Sequence, residues 1–136
     1  MSHWLFKTEP SAYSWDDLVR DGRAVWDGIT NALALKNLRA VRAGDSVILY
    51  HTGSERQSVG VARVIAAPYV DPKAKDPRRA VVDIAPVAPL PRPVTLEQLK
   101  ADPAFADWDL LRLPRLSVVP VPADLWKRLM KLGEYT

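Results

Sequence analysis

Two histidines, sixteen carboxylates and no cysteine set the chemistry open to this chain. His3 and His51 lack the i,i+4 spacing of a helical metal pair, and no carboxylate cluster near either could complete a zinc site. The missing thiols exclude disulfides, thiol catalysis and Cys-based metal sites, and they fit a reducing, cytoplasmic location. No glycine-rich phosphate loop is present. Ser117, in Arg115-Leu116-Ser117-Val118, does not sit in a nucleophile elbow. Glu9, Asp27 and His51 remain as acid/base candidates. Carboxylates of this kind occur in any chain of this length and are mostly solvated surface groups.

Recognition has more to work with. Trp26 lies in Val25-Trp26-Asp27-Gly28, which reads as a turn between two helical stretches, with Asn31 following. An indole in a turn beside small and polar residues makes a wall for a flat ligand, and stacking on it is worth about 1–3 kcal/mol per nucleobase. It could equally staple the next helix to the body of the fold. On the wall reading, Trp26→Ala removes binding and leaves the fold intact. Trp4, Trp15, Trp108 and Trp126 read as packing residues. Lys36, Arg39 and Arg42 recur at i, i+3 and i+6, and Lys73, Lys75, Arg78 and Arg79 crowd one loop. Such sets bind phosphates in a salt-dependent way, although a cationic helix face can also be merely solvated.

These residues need positioning. Residues 3–7 read as a short strand. Ser14 caps a helix that Asp21-Gly22 stops. A second helix runs from Asn31 to Val41, with Leu35 and Leu38 inward and the cations outward. Strands follow at 46–51, 58–66 and 80–87, with Gly60 marking a close approach or bulge. Pro86, Pro89, Pro91 and Pro93 confine the next stretch to an edge or an extended connection. Thr95 and Gln98 have capping-box spacing. A strand at 116–121 precedes a last helix from Pro122 to Gly133, striped by Leu125, Leu129 and Leu132. The pattern is α+β, and its strand count suits a small barrel of five or six strands with peripheral helices.

The 136 residues are the size of one domain, with 48% hydrophobic and 26% charged residues, which rules out a mainly disordered chain. No run is long and apolar enough for a transmembrane helix, and the polar start does not resemble a signal peptide. The net charge of +3 is unevenly spread: −2 over residues 1–35, +5 over 36–80 and zero over 81–136.

Trp4-Leu5-Phe6-Lys7-Thr8-Glu9-Pro10 with Tyr13-Ser14 resembles the opening signature of the EVE domain family. Trp26-Asp27-Gly28-Ile29 with Asn31 is similar to its second motif, and Gly44-Asp45-Ser46-Val47-Ile48-Leu49-Tyr50-His51 to its third. Val59-Gly60-Val61-Ala62-Arg63-Val64 with Tyr69 and Asp71-Pro72, Pro93-Val94-Thr95-Leu96, and Arg115-Leu116-Ser117-Val118 with Trp126 continue the resemblance in order. It implies one EVE domain over residues 1–136, with a PUA-like bent β-barrel related to YTH and ASCH domains. It also implies a non-catalytic reader of a modified base, flipped or single-stranded, in DNA or RNA, with no cofactor, metal or membrane. By this resemblance Trp26 is a pocket wall, and Lys7, Thr8 and Glu9 present polar groups to the base. Asn31 fixes the turn or touches the ligand, and Tyr50, His51 and Ser117 lie around the mouth or floor. Thr30, Ala32, Leu33 and Arg79-Ala80 depart from residues frequent in the family, which implies fewer polar and aromatic walls. A regulatory module binding a peptide or small metabolite stays open as an alternative, as does a small enzyme acting on modified nucleotides through Glu9, Asp27 or His51. The modified base, the choice of DNA or RNA and the oligomeric state are not set by these patterns.

Overall fold

The computed structural model describes residues 1–135, with Ala67 by its backbone alone. Six strands form one sheet in the order β2-β5-β4-β3-β1-β6. They are β1 (His3–Thr8), β2 (Ala24–Trp26), β3 (Ser46–His51), β4 (Gln57–Val70), β5 (Ala80–Thr95) and β6 (Val118–Val121). The helices are α1 (Trp15–Asp21), α2 (Ala32–Ala40), α3 (Leu96–Ala101), α4 (Asp109–Arg112) and α5 (Ala123–Leu132), with a 3-10 turn at Pro103–Phe105. The mixed α+β class follows the sequence pattern.

β1 and β3 run parallel, so the chain between them must cross over. That crossover, residues 9–45, carries α1, β2 and α2. β2 does not rejoin its neighbours in sequence. It pairs antiparallel with β5, Trp26 opposite Val82, at the far edge of the sheet. Yet the Trp26 ring lies 5.8 Å from the Phe6 ring of β1, four strands away in the order. Only a strongly curled sheet brings those positions together, which makes the body a half-barrel rather than an open layer.

The curl is built into β4 and β5, whose register shifts repeatedly. Between Ser58 and Gly60 of β4 the partners on β5 jump from Val94 to Pro89, so residues 90–93 bulge out of the ladder. This corrects the expectation that the prolines end the strand near 87. Pro91 and Pro93 sit exposed in the bulge, and the strand resumes beyond it to Thr95. β4 likewise extends past 66 to Val70, and the turn expected at Trp26 is a short edge strand. Gly60 has both roles its position suggested. It borders the bulge, and a Cβ there would lie 2.5 Å from the buried Trp15 ring.

Local signals account for the helices. Ser14 and Thr95 each form a full capping box, with Asp17 and Gln98. Gly22 ends α1 in the left-handed conformation, at φ 72°. Asp45, a turn residue by sequence, is 2% exposed. It accepts hydrogen bonds from the Trp4 indole at 2.9 Å, from the Arg42 amide at 2.8 Å and from the Ser2 amide at 3.1 Å, tying the first strand to the end of the crossover.

Candidate nucleic-acid interface

A pocket of about 340 Å³ opens between the end of β1 and the edge strand β2. Lys7, Thr8 and Glu9 line it from one side, Ala24, Val25 and Trp26 from the other, and Tyr13, Asp27 and Ile29 complete it. The volume falls at the small end of the usual range for ligand sites, about 300–1,000 Å³.

Trp26 lies both in the core and at the pocket. It is only 7% exposed and belongs to the core, with Phe6 stacked at 29°. It also lines the pocket, where the Tyr13 ring meets it edge-on at 6.1 Å and 78°. Tyr13 is held by its hydroxyl, which donates to Asp21 at 2.9 Å, and by its carbonyl, which accepts from the Thr8 hydroxyl at 2.7 Å. Burial and the hydrogen bond to Asp21 push the Tyr13 hydroxyl up to about 12. Opposite, the Ser11 hydroxyl and amide bind one Glu9 oxygen, the amide at 2.6 Å, and hold the carboxyl below its ordinary value. Glu9 is therefore a fixed anionic acceptor at the rim. Gly53, at φ 73°, leaves room for it, since a Cβ there would lie 2.6 Å from the other Glu9 oxygen.

Lys7 reaches across from the pocket to the 112–116 segment. Its ammonium donates to the Pro114 carbonyl at 2.8 Å and lies 6.0 Å from the centre of the Tyr50 ring. Burial lowers its pKa from the ordinary lysine value.

Four expected pocket residues are placed elsewhere. His51 is 6% exposed behind α1: Nε2 accepts from the Trp15 amide at 3.0 Å and Nδ1 lies 2.9 Å from Glu55. That pairing puts the ring proton on Nδ1 and makes His51 a cap for the first turn of α1. Tyr50 is buried beneath Lys7. Ser117 contributes its carbonyl to the Lys7 amide at 2.9 Å. Asn31 caps α2, accepting from the Ala34 amide at 3.0 Å, and borders a neighbouring groove instead.

The 27–31 loop is shared by three depressions. Asp27 and Ile29 belong to the pocket, while Thr30 borders a groove of about 300 Å³ with Arg39, Arg78 and Arg79. Asn31 borders a third, of about 400 Å³, with Arg112 and Arg115. The two basic sets thus meet beside the pocket. The Arg39 guanidinium donates to the Arg78 carbonyl, and Arg79 donates to the Ile29 carbonyl at 3.1 Å. Arg42 turns back to the Arg39 and Val41 carbonyls, both within 2.9 Å, and serves the end of α2. Lys36, Lys73 and Lys75 are exposed, and Arg78 is paired with Asp76 at 3.0 Å. Sequence reasoning missed Tyr13, Ala24, Val25, Asp27 and Ile29 as pocket walls, and Arg112 and Arg115 as nearby cations. The two arginines flank Leu113-Pro114 and form no periodic set that would draw attention. Among the described residues no group of three or more His, Asp or Glu side chains is arranged for a metal ion, and no helix is long and apolar enough to cross a membrane.

A half-barrel with an aromatic-walled pocket at its seam and cationic grooves beside it defines a PUA-like ligand-pocket module. The EVE domain family model matches residues 2–132, and the chain belongs to that family. A protein of Rhodopseudomonas palustris solved by NMR is 40% identical, with a TM-score of 0.93 over 98% of this chain and 94% of that one. The human THYN1 protein, crystallised with DNA containing 5-methylcytosine, is 26% identical, with a TM-score of 0.90 over 100% of this chain and 99% of that one. The YTH domain of Zygosaccharomyces rouxii MRB1, solved with N6-methyladenosine RNA, shares the fold at 18% identity and a TM-score of 0.60, covering 99% of this chain and 88% of that one.

Proposed function

We propose that this chain is a non-catalytic nucleic-acid-binding module that takes one modified base into the Trp26 pocket. The observation that carries the reading is the pocket itself: a base-sized cavity between Trp26 and Tyr13 on one side and the Lys7–Glu9 strand end on the other, beside two arginine-bearing grooves. Glu9 accepts but cannot donate, so it suits a base edge that presents an amino group. Ile29, Ala24 and the rings suit a methyl group, which an apolar wall alone distinguishes by about 1–3 kcal/mol. In a duplex the base must first leave the stack, at a cost of a few kcal/mol that contacts in the pocket offset. The relative bound to 5-methylcytosine DNA supports this reading and makes that base the first to test. A catalytic role finds little support: His51 has both nitrogens engaged, and Glu9 is held by Ser11. The absent cysteines fit a reducing, cytoplasmic setting.

The test is a fluorescence-anisotropy titration of oligonucleotides that differ at one base, cytosine against 5-methylcytosine and adenine against its N6-methyl form, as DNA and as RNA. One modified probe should bind about tenfold or more tighter than its parent. Ala24→Leu, which narrows the pocket, should abolish that preference while the circular dichroism spectrum is retained. Equal binding of all probes, or none, overturns the reading.

A further inference from the structure

The groove beside Asn31 adjoins the base pocket across a single side chain. Lys7 lines the pocket, and its ammonium donates to the carbonyl of Pro114, which lines the groove. The floor of this groove is aliphatic and its rim is cationic. Leu33 and Leu113 are 41% and 36% exposed, and Arg112 and Arg115 flank them. Asn31 spends its carbonyl oxygen on the α2 amide of Ala34, which leaves its amide N–H groups as the side chain's free donors.

Exposed aliphatic surface between two guanidinium groups complements a nucleotide: a flat, weakly hydrated base face joined to an anionic phosphate. Lys7 adds the link. An ammonium has three donors, and the Pro114 carbonyl uses one. The cation therefore stands on the ridge between two cavities. Successive nucleotides in a strand share one phosphate, and that ridge is where it would lie with one base on each side.

We propose that this groove is a second nucleotide subsite, which takes the base adjacent to the one held in the Trp26 pocket, with Lys7 on the phosphate between them. The proposal rests on the base-pocket reading above and deepens it. The recognition unit becomes a dinucleotide in one strand polarity, so a modified base is read together with one neighbour and not alone.

The test uses a short single-stranded DNA probe with one 5-methylcytosine, and two versions with an abasic residue immediately 5′ or immediately 3′ of it. The unaltered protein should lose about tenfold in affinity when one flank is abasic, and little when the other is. Leu33→Ser combined with Leu113→Ser should bind the intact probe about tenfold more weakly and lose the difference between flanks. Arg112→Gln with Arg115→Gln should weaken all three probes alike. The abasic comparison needs no variant, so misfolding of a variant does not remove the test. Indifference of the unaltered protein to both flanks overturns the subsite and leaves the base pocket standing, as does an unchanged flank preference in the leucine variant. Failure of the unaltered protein to bind any methylated probe overturns the pocket reading, and the subsite with it.

Discussion

Replacing Trp26 by alanine removes an indole that packs on Phe6 and Tyr13 as well as a pocket wall. The sequence-based expectation that the fold survives untouched therefore has to be revised. A large aromatic deleted from a packed site costs about 3–5 kcal/mol, and urea unfolding of Trp26→Ala should show a loss of that size. Its neighbour Tyr13 gives a pH signature. Its hydroxyl is raised to about 12 by burial and by Asp21, while the unfolded side chain titrates near the ordinary tyrosine value of 10.0. The folded state then holds a proton that the unfolded state releases. The contribution is complete below about pH 10 and is lost as pH rises through about 12. Tyr13→Phe, which keeps the ring and removes the proton, should show a shallower fall in stability over that interval when unfolding is followed at several pH values.

At the scale of elements, Gly60→Ala is the sharpest probe of how α1 sits on the sheet. The added methyl would meet the Trp15 ring at 2.5 Å, against strand backbone on one side and a buried indole on the other. Such overpacking costs about 1–3 kcal/mol, and a thermal melt should register it. Much at this scale was legible in the sequence. The capping boxes at Ser14 and Thr95, the stop at Gly22 and the close approach at Gly60 are local patterns with local causes. What stayed hidden depends on residues far apart in the chain. Asp45 looks like any turn aspartate until Trp4 and Ser2, 41 and 43 positions away, are seen to donate to it. His51 ends a strand and reads as a mouth residue, but the Trp15 amide 36 positions earlier claims its ring. The prolines of β5 suggest a strand end because sequence does not reveal that bulges absorb them. The Trp26 wall was legible through its motif. Arg112 and Arg115 were not, because only the packing of Pro114 against Lys7 brings them near the pocket.

Across the whole molecule the modest net charge of +3 conceals a directed field. The positive middle third folds so that its helix α2 and its 71–79 loop meet through Arg39 and the Arg78 carbonyl, beside the pocket loop. Binding should therefore weaken steeply with salt. On a single-stranded probe each phosphate contact adds about 0.7 to the slope of log affinity against log salt. Arg39→Gln combined with Arg78→Gln should reduce the slope by about 1.4 if each side chain meets one phosphate. A slope unchanged in that variant would place the nucleic acid on another face.

The parallel pairing of β1 with β3 has a consequence for how such a protein can diversify. Because those two strands are neighbours, everything from Glu9 to Asp45 is topologically a single connection between them, which adds the edge strand β2 to the far side of the sheet on its way. Glu9, Tyr13, Ala24, Val25, Trp26, Asp27 and Ile29 all lie on that connection, and only Lys7 and Thr8 of the lining belong to β1. Most of the scaffold and most of the pocket lining thus occupy different stretches of the chain. Exchanging one contiguous cassette between relatives would replace most of the pocket lining at once, while Lys7, Thr8 and the 112–116 groove stay those of the recipient.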